Sequence, residues 1–176
     1  QNMNIIKKFK WTLVFFFLLQ TNLTAQTTYY LDFKYILNQS DAGKKAQLTL
    51  KNKLDKGIKN LNNQQNTIQE EEKNIIKQKK ALSPEEYKKK VNVLRKKVSS
   101  LQKERNSLLE TVSKQRSKAR NELLKNVNPL LSSYMKEKNI GLVIDKKYLL
   151  LADEKFDITN DIMSLLNKKL KSIKLN

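Results

Sequence analysis

Residues Lys79 to Lys90, KKALSPEEYKKK, hold one of the chain's two prolines, and they interrupt its longest heptad pattern. Upstream, Leu54, Ile58, Leu61, Ile68, Ile75 and Leu82 recur in alternating steps of four and three, with Gln65, Glu72 and Lys79 at the intervening positions. Downstream the same steps give Tyr87, Val91, Leu94, Val98, Leu101, Arg105, Leu108, Val112, Gln115 and Ala119. Lysine, glutamine, glutamate and leucine dominate both sides, all good helix formers. An apolar stripe this narrow on so charged a helix must be covered by a partner helix.

The residues around the proline indicate which helix that is. Ser83 can act as an N-cap, Pro84 suits the first helical position, and Glu86 lies where a capping box needs it. A new helix therefore starts at 83–86, and the chain is expected to turn back there. Folding back pairs Leu82 with Tyr87, Ile75 with Leu94, Ile68 with Leu101, Leu61 with Leu108 and Ile58 with Val112. The polar intruders Gln65 and Arg105 then fall opposite each other, a layer that would fix the register. Arms of about 40 residues would project ~60 Å at 1.5 Å per residue. Gly57, inside the first arm, is expected to let it flex.

The first residues read as an export signal. Met3 is the expected initiator, with Gln1 and Asn2 upstream of it. Lys7, Lys8 and Lys10 precede nine uncharged residues, Trp11 to Leu19, and Leu23-Thr24-Ala25 offers a break before Gln26. A spanning helix needs about 20 apolar residues, and this run is roughly half that. A cleavable signal over residues 1–25 and a soluble, exported mature chain are expected.

The absence of cysteine closes the lipoprotein route and excludes disulfides. The absence of histidine removes the commonest acid-base group and metal ligand. No enzyme motif stands up, and no catalytic, metal or cofactor site is expected. Asp41 to Ala46, DAGKKA, lacks the first glycine and the hydroxyl of a phosphate loop and reads as a helix entrance. Glu70-Glu71-Glu72 would fan outwards on a helix rather than converge on one ion. Asp153, Glu154, Asp157 and Asp161 sit where they would cap a last helix.

The net charge of +19 is unevenly distributed. Residues 43–125 hold 23 basic and nine acidic side chains, a net +14, whereas 26–42 sum to −1 and 126–176 to +3. An exposed coiled coil ordinarily mixes its signs, so this excess points to an anionic partner.

The ends form a separate piece. Thr27 to Phe33 alternates like a strand, and Tyr35-Ile36-Leu37 reads as a short helix. Asn128-Pro129 is expected to break or bend the return helix, whose apolar stripe continues through Leu130, Leu131 and Tyr134. Ile140 to Asp153 reads as two short strands joined at 145–147, the Leu149–Leu151 run being buried on both faces. Asp157-Ile158-Thr159 then caps a helix with Ile162, Leu165, Leu166, Leu170 and Ile173 on one side. A body of about 65 residues is marginal alone, so several copies are expected to associate. Tyr30, Leu142, Ile144, Leu149 and Leu151 are the candidates for that oligomerisation body. The fold class is α+β, predominantly α. The body comprises 26–43 and 128–176, and a basic coiled-coil hairpin arm, 44–127, is inserted between its strands.

The stretches YYLDFKYILNQSDAGKKAQLTL, ALSPEEYKKK and IGLVIDKKYLLLADEKFDITNDIMSLLN, in this order, resemble the Skp/OmpH family of periplasmic chaperones. The resemblance implies a homotrimer in which a β-body carries three helical tentacles around a cavity. It also implies an ATP-independent holdase that keeps unfolded outer-membrane proteins from aggregating in the periplasm and delivers them for assembly. Lys79, Lys80, Lys88, Lys89, Lys90, Arg95, Lys96 and Lys97, near the arm tip, are the candidate contacts for client or membrane. An anionic membrane surface or lipopolysaccharide is a further candidate partner. The rival readings are a basic nucleic-acid binder, disfavoured by export and by the lack of an aromatic-basic motif, and a structural envelope adaptor with a coiled-coil hairpin.

Overall fold

The computed structural model describes residues 27–175. The expected signal over residues 1–25 and the expected mature start at Gln26 lie outside the described residues. None of the described helices is long and apolar enough to cross a membrane.

The order of elements is β1 (Thr28–Leu31), α1 (Phe33–Gln39), α2 (Asp41–Gln78), α3 (Pro84–Glu137), β2 (Leu142–Asp145) and α4 (Thr159–Lys169). Two 3-10 turns, Lys146–Tyr148 and Glu154–Phe156, lie between β2 and α4. β1 and β2 pair in parallel, Thr28 against Leu142 and Tyr30 against Ile144. Parallel strands need a long crossover, and here the crossover is the entire helical hairpin. The observed class is the expected one, α+β and predominantly α, with a small β-containing body and a long antiparallel hairpin inserted between its strands.

Local chemistry sets the helix boundaries. Asp32 caps α1, its side chain accepting from the Tyr35 amide at 2.7 Å. Ser40, fully buried, closes α1 and opens α2, its Oγ accepting from the Gly43 amide at 3.2 Å. A Cβ on Gly43 would lie 2.0 Å from the Leu37 carbonyl oxygen, so this tight joint requires glycine. At the far end α2 unwinds after Gln78, and Ser83 starts α3 with the expected capping box. The Glu86 amide donates to Ser83 Oγ at 3.3 Å, and Glu86 Oε2 accepts from the Ser83 amide at 3.0 Å. Asn139, with φ of 53°, ends α3 in the left-handed conformation that asparagine tolerates.

The expected break at Asn128-Pro129 is not made. α3 continues through Pro129 to Glu137. An internal proline costs a helix about 3 kcal/mol. Here Val127 is fully buried on one side of it, and Leu130, Leu131 and Tyr134 pack on the same core. Burial at ~1.5–3 kcal/mol per large apolar side chain outweighs the lost hydrogen bond.

The body core gathers Leu31, Ile36, Ala42, Leu123, Val127, Ile158, Ile162 and Leu166. It therefore reaches into the roots of both arms. The Asp32 amide donates to Thr159 Oγ1 at 2.8 Å, tying the end of β1 to the start of α4. Tyr134 donates its hydroxyl to Asp161 at 2.5 Å, and that bond together with partial burial pushes the phenol up to about 12. After α4 the chain runs back to the arms. Lys171 pairs with Asp41 at 2.9 Å, and Leu175 is buried against Ala46, Leu50 and Ala119.

The second strand expected over Leu149–Leu151 does not form. The free edge of β1 is already met by Asp157, which bridges Tyr30, and by the Ile158 amide donating to the Tyr30 carbonyl at 2.9 Å. The turn at Lys146–Tyr148 carries the following residues off the sheet. A strand exists only against a partner edge, and among the described residues this segment pairs with neither strand of the sheet.

Candidate functional site

The two arms lie side by side in the register expected from their numbering. Leu61, Leu101 and Val112 are buried along the seam. Arg105 Nη2 donates to Gln65 Oε1 at 3.3 Å, so the two polar intruders do meet. On α2, however, the alternate seam positions lie one residue earlier than expected. Gly57, Gln64 and Glu71 turn inward, whereas Ile58, Gln65 and Glu72 are exposed. Steps of three-then-four and four-then-three share every seventh residue, and only the partner's surface selects between them.

That shift builds a ladder of polar rungs across the hairpin. Lys53 donates to Gln115 Oε1 at 3.1 Å, Gln64 to Glu104 Oε2 at 3.0 Å, Lys97 to Glu71 at 2.6 Å, and Lys90 to Gln78 Oε1 at 3.1 Å. Glu70, Glu71 and Glu72 point three ways, and only Glu71 meets the seam. Gly57 is a packing position rather than a break. α2 runs through it, and a Cβ there would fall 2.5 Å from Leu108 Cδ2.

The eight cations expected near the tip divide into two groups. Lys79 lies 5.6 Å over the Tyr87 ring, Lys90 bonds Gln78, and Lys97 pairs with Glu71. Those three are engaged inside the hairpin. Lys80, Lys88, Lys89, Arg95 and Lys96 are exposed and make no ion pair or hydrogen bond among the described residues. Ser83, Pro84 and Glu86 place the five at the far end of α2 and the start of α3. The 38 residues of α2 carry them about 57 Å from its own N-terminus.

The body residues also divide. Tyr30 is 6 % exposed, already covered inside its own chain. Ile144 and Leu149 are half-buried, and Leu142 is exposed. Leu151 is 94 % exposed, and its neighbour Leu150, within the expected strand but not among the oligomerisation candidates, is 106 % exposed. Tyr148 joins them as an exposed aromatic. The signal for Leu150 was present in the three-leucine run, but a strand buried on both faces was the wrong picture for a single chain.

Three of the four acidic residues around α4, Asp153, Asp157 and Asp161, are occupied. Asp157 accepts from the Thr159 amide at 2.9 Å, Asp153 accepts from the Lys155 amide at 3.0 Å, and Asp161 holds Tyr134. Hydrogen bonds from the Lys155 side chain and amide hold the Asp153 carboxyl below its usual range.

The matching family model is described as Outer membrane protein (OmpH-like) and covers residues 27–166. A solved structure with the same architecture is a candidate OmpH-like outer membrane chaperone from Caulobacter crescentus. It is 16 % identical, with 84 % of this chain and 87 % of that chain covered and a TM-score of 0.78. No curated protein matches the sequence. The capped tip, the parallel pair that brackets the hairpin and the model spanning nearly all described residues thus place this chain in the OmpH-like family.

Proposed function

We propose that this chain is an ATP-independent holdase that binds unfolded outer-membrane proteins in the periplasm and passes them on for assembly. The observation that carries the reading is the group of five cations at the end of a two-helix arm whose charged groups have no ion pair or hydrogen bond among the described residues. They stand far from the body, where an unfolded anionic chain can reach them without meeting a fixed pocket. Long-range attraction speeds capture and fades over about 8 Å at physiological ionic strength. Many weak contacts retain a chain without choosing one conformation for it.

Three copies forming the base of a cage agree with the body. The outer edge of β2 has no strand partner among the described residues, and Leu150 and Leu151, a few residues further along the chain, are uncovered. Placement in the periplasm rests on the basic, apolar, small-residue pattern of the first 25 residues. An anionic membrane surface or lipopolysaccharide would meet the same free lysines.

Light scattering of an unfolded outer-membrane protein, with and without the chain and across salt, tests the proposal. Suppression of aggregation without nucleotide, with capture slowing as salt rises, is the expected result. Failure to suppress aggregation, together with DNA binding at physiological salt, would replace it with the nucleic-acid reading.

A further inference from the structure

The root of the hairpin carries a groove that the tip reading does not use. Leu175 and Ile173 pack on Ala46, Leu50 and Ala119. The same three side chains also line an open groove of about 790 Å³, whose wall includes Leu48 and Leu54. Leu48 is 60 % exposed, so its apolar side chain is open to a ligand entering the groove. Lys44 and Lys51 from α2 and Arg116 and Arg120 from α3 border the groove, and no acidic side chain lines it. The charged groups of Lys51, Arg116 and Arg120 have no ion pair or hydrogen bond among the described residues, and that of Lys44 makes none closer than its attraction to Asp41.

We infer that this groove binds an extended segment of an unfolded client in which apolar and acidic side chains alternate. The inference rests on the holdase reading and places a defined docking site at the arm root, away from the tip. An extended strand sends successive side chains to opposite faces. One row can lie on Leu48, Leu54 and the alanine floor while the other meets the cations. Lys44 and Leu54 are ten residues apart on one helix, about 15 Å, which about five extended residues would span. The four cations are spread along that length, two turns apart on α2 and one turn apart on α3. A single-headed amphiphile would need its positive partners gathered at one end, so the spacing favours a peptide over a lipid.

The test uses the native oligomer of the exported chain and a fluorescent peptide of alternating leucine and glutamate, followed by anisotropy. A lysine-for-glutamate peptide and anionic phosphatidylglycerol vesicles serve as the other arms. Leu48→Glu alters an exposed side chain, so circular dichroism should be unchanged. That variant, and the pair Arg116→Glu with Arg120→Glu, should each weaken the acidic peptide about tenfold. Lys88→Glu with Lys89→Glu at the tip should leave it nearly unchanged, and the basic peptide should bind poorly throughout. Unchanged acidic-peptide affinity in Leu48→Glu overturns the site, and the holdase reading stands if aggregation is still suppressed. A shift in oligomer mass with peptide affinity unchanged would make the groove a contact between copies, overturning it. Loss confined to the vesicles would overturn it in favour of lipid. Groove-dependent peptide binding by a protein that suppresses no aggregation would keep the site and remove the holdase.

Discussion

Lys97 Nζ stands 2.6 and 2.7 Å from the two carboxylate oxygens of Glu71, bridging the arms on a half-exposed rung. The contact explains why the cations near the tip are not equivalent. A pair this exposed is worth about 0.5 kcal/mol to the fold, but it also cancels one charge of the field that an approaching chain would feel. Lys97→Ala combined with Glu71→Gln removes this neutral pair whole and should therefore leave capture of an unfolded client almost unchanged. Lys88→Ala with Lys89→Ala and Lys96→Ala should slow it roughly threefold at low ionic strength. Glu71→Gln frees the ammonium group and should speed capture. Stopped-flow association at two salt concentrations reads all three, and the differences should shrink at the higher one.

Leu108 resting on Gly57 gives a second expectation. Alanine at 57 gains about 1 kcal/mol of helix propensity but pushes the methyl groups of Leu108 aside. Those methyls end a half-buried side chain that can rotate outward. Gly57→Ala should thus lie within about 1 kcal/mol of the parent in urea unfolding. Gly57→Leu, with no space to enter, should lose about 2 kcal/mol.

Leu150 and Leu151 are uncovered in the single chain, so changing them removes no contact inside it. Leu150→Lys with Leu151→Lys should preserve helix content and convert the oligomer to single chains in native mass spectrometry. Retention of the oligomer would move the interface elsewhere. The same variant should lose aggregation suppression if enclosure by several arms is what retains a client.

The tip should loosen in acid. Hydrogen bonds from the Ser83 side chain and then its amide hold the Glu86 carboxyl below its ordinary value of 4.5. A depressed carboxyl stabilises the folded form above its unfolded value, and that contribution is lost as pH falls through the folded one. Hydrogen-exchange protection over residues 79–90, taken relative to the intrinsic rate at each pH, should therefore be flat from neutral pH to about 5 and fall below 4.5. Glu86→Gln should open the tip at neutral pH and remove the acid step.

Much of this architecture was legible in the residues because the interactions that set it are short in sequence. Ser83, Pro84 and Glu86 fold the tip within four residues. The sevenfold spacing of Leu61, Ile68 and Ile75 on one arm, and of Leu94, Leu101 and Leu108 on the other, dictates a stripe. Gln65 and Arg105 report its register. The tertiary structure alone decided that Gly57 and Glu71, rather than Ile58 and Glu72, face the partner. It also decided that Pro129 stays helical, that Leu149–Leu151 leaves the sheet, and that Leu175 returns to the arm root. Each of those outcomes depends on what a distant surface offers: a neighbouring helix to pack on, a free strand edge to bond, or a core that outweighs a broken hydrogen bond. Periodicity and caps carry the first kind of information along the chain, whereas shape and available edges exist only once the pieces have met.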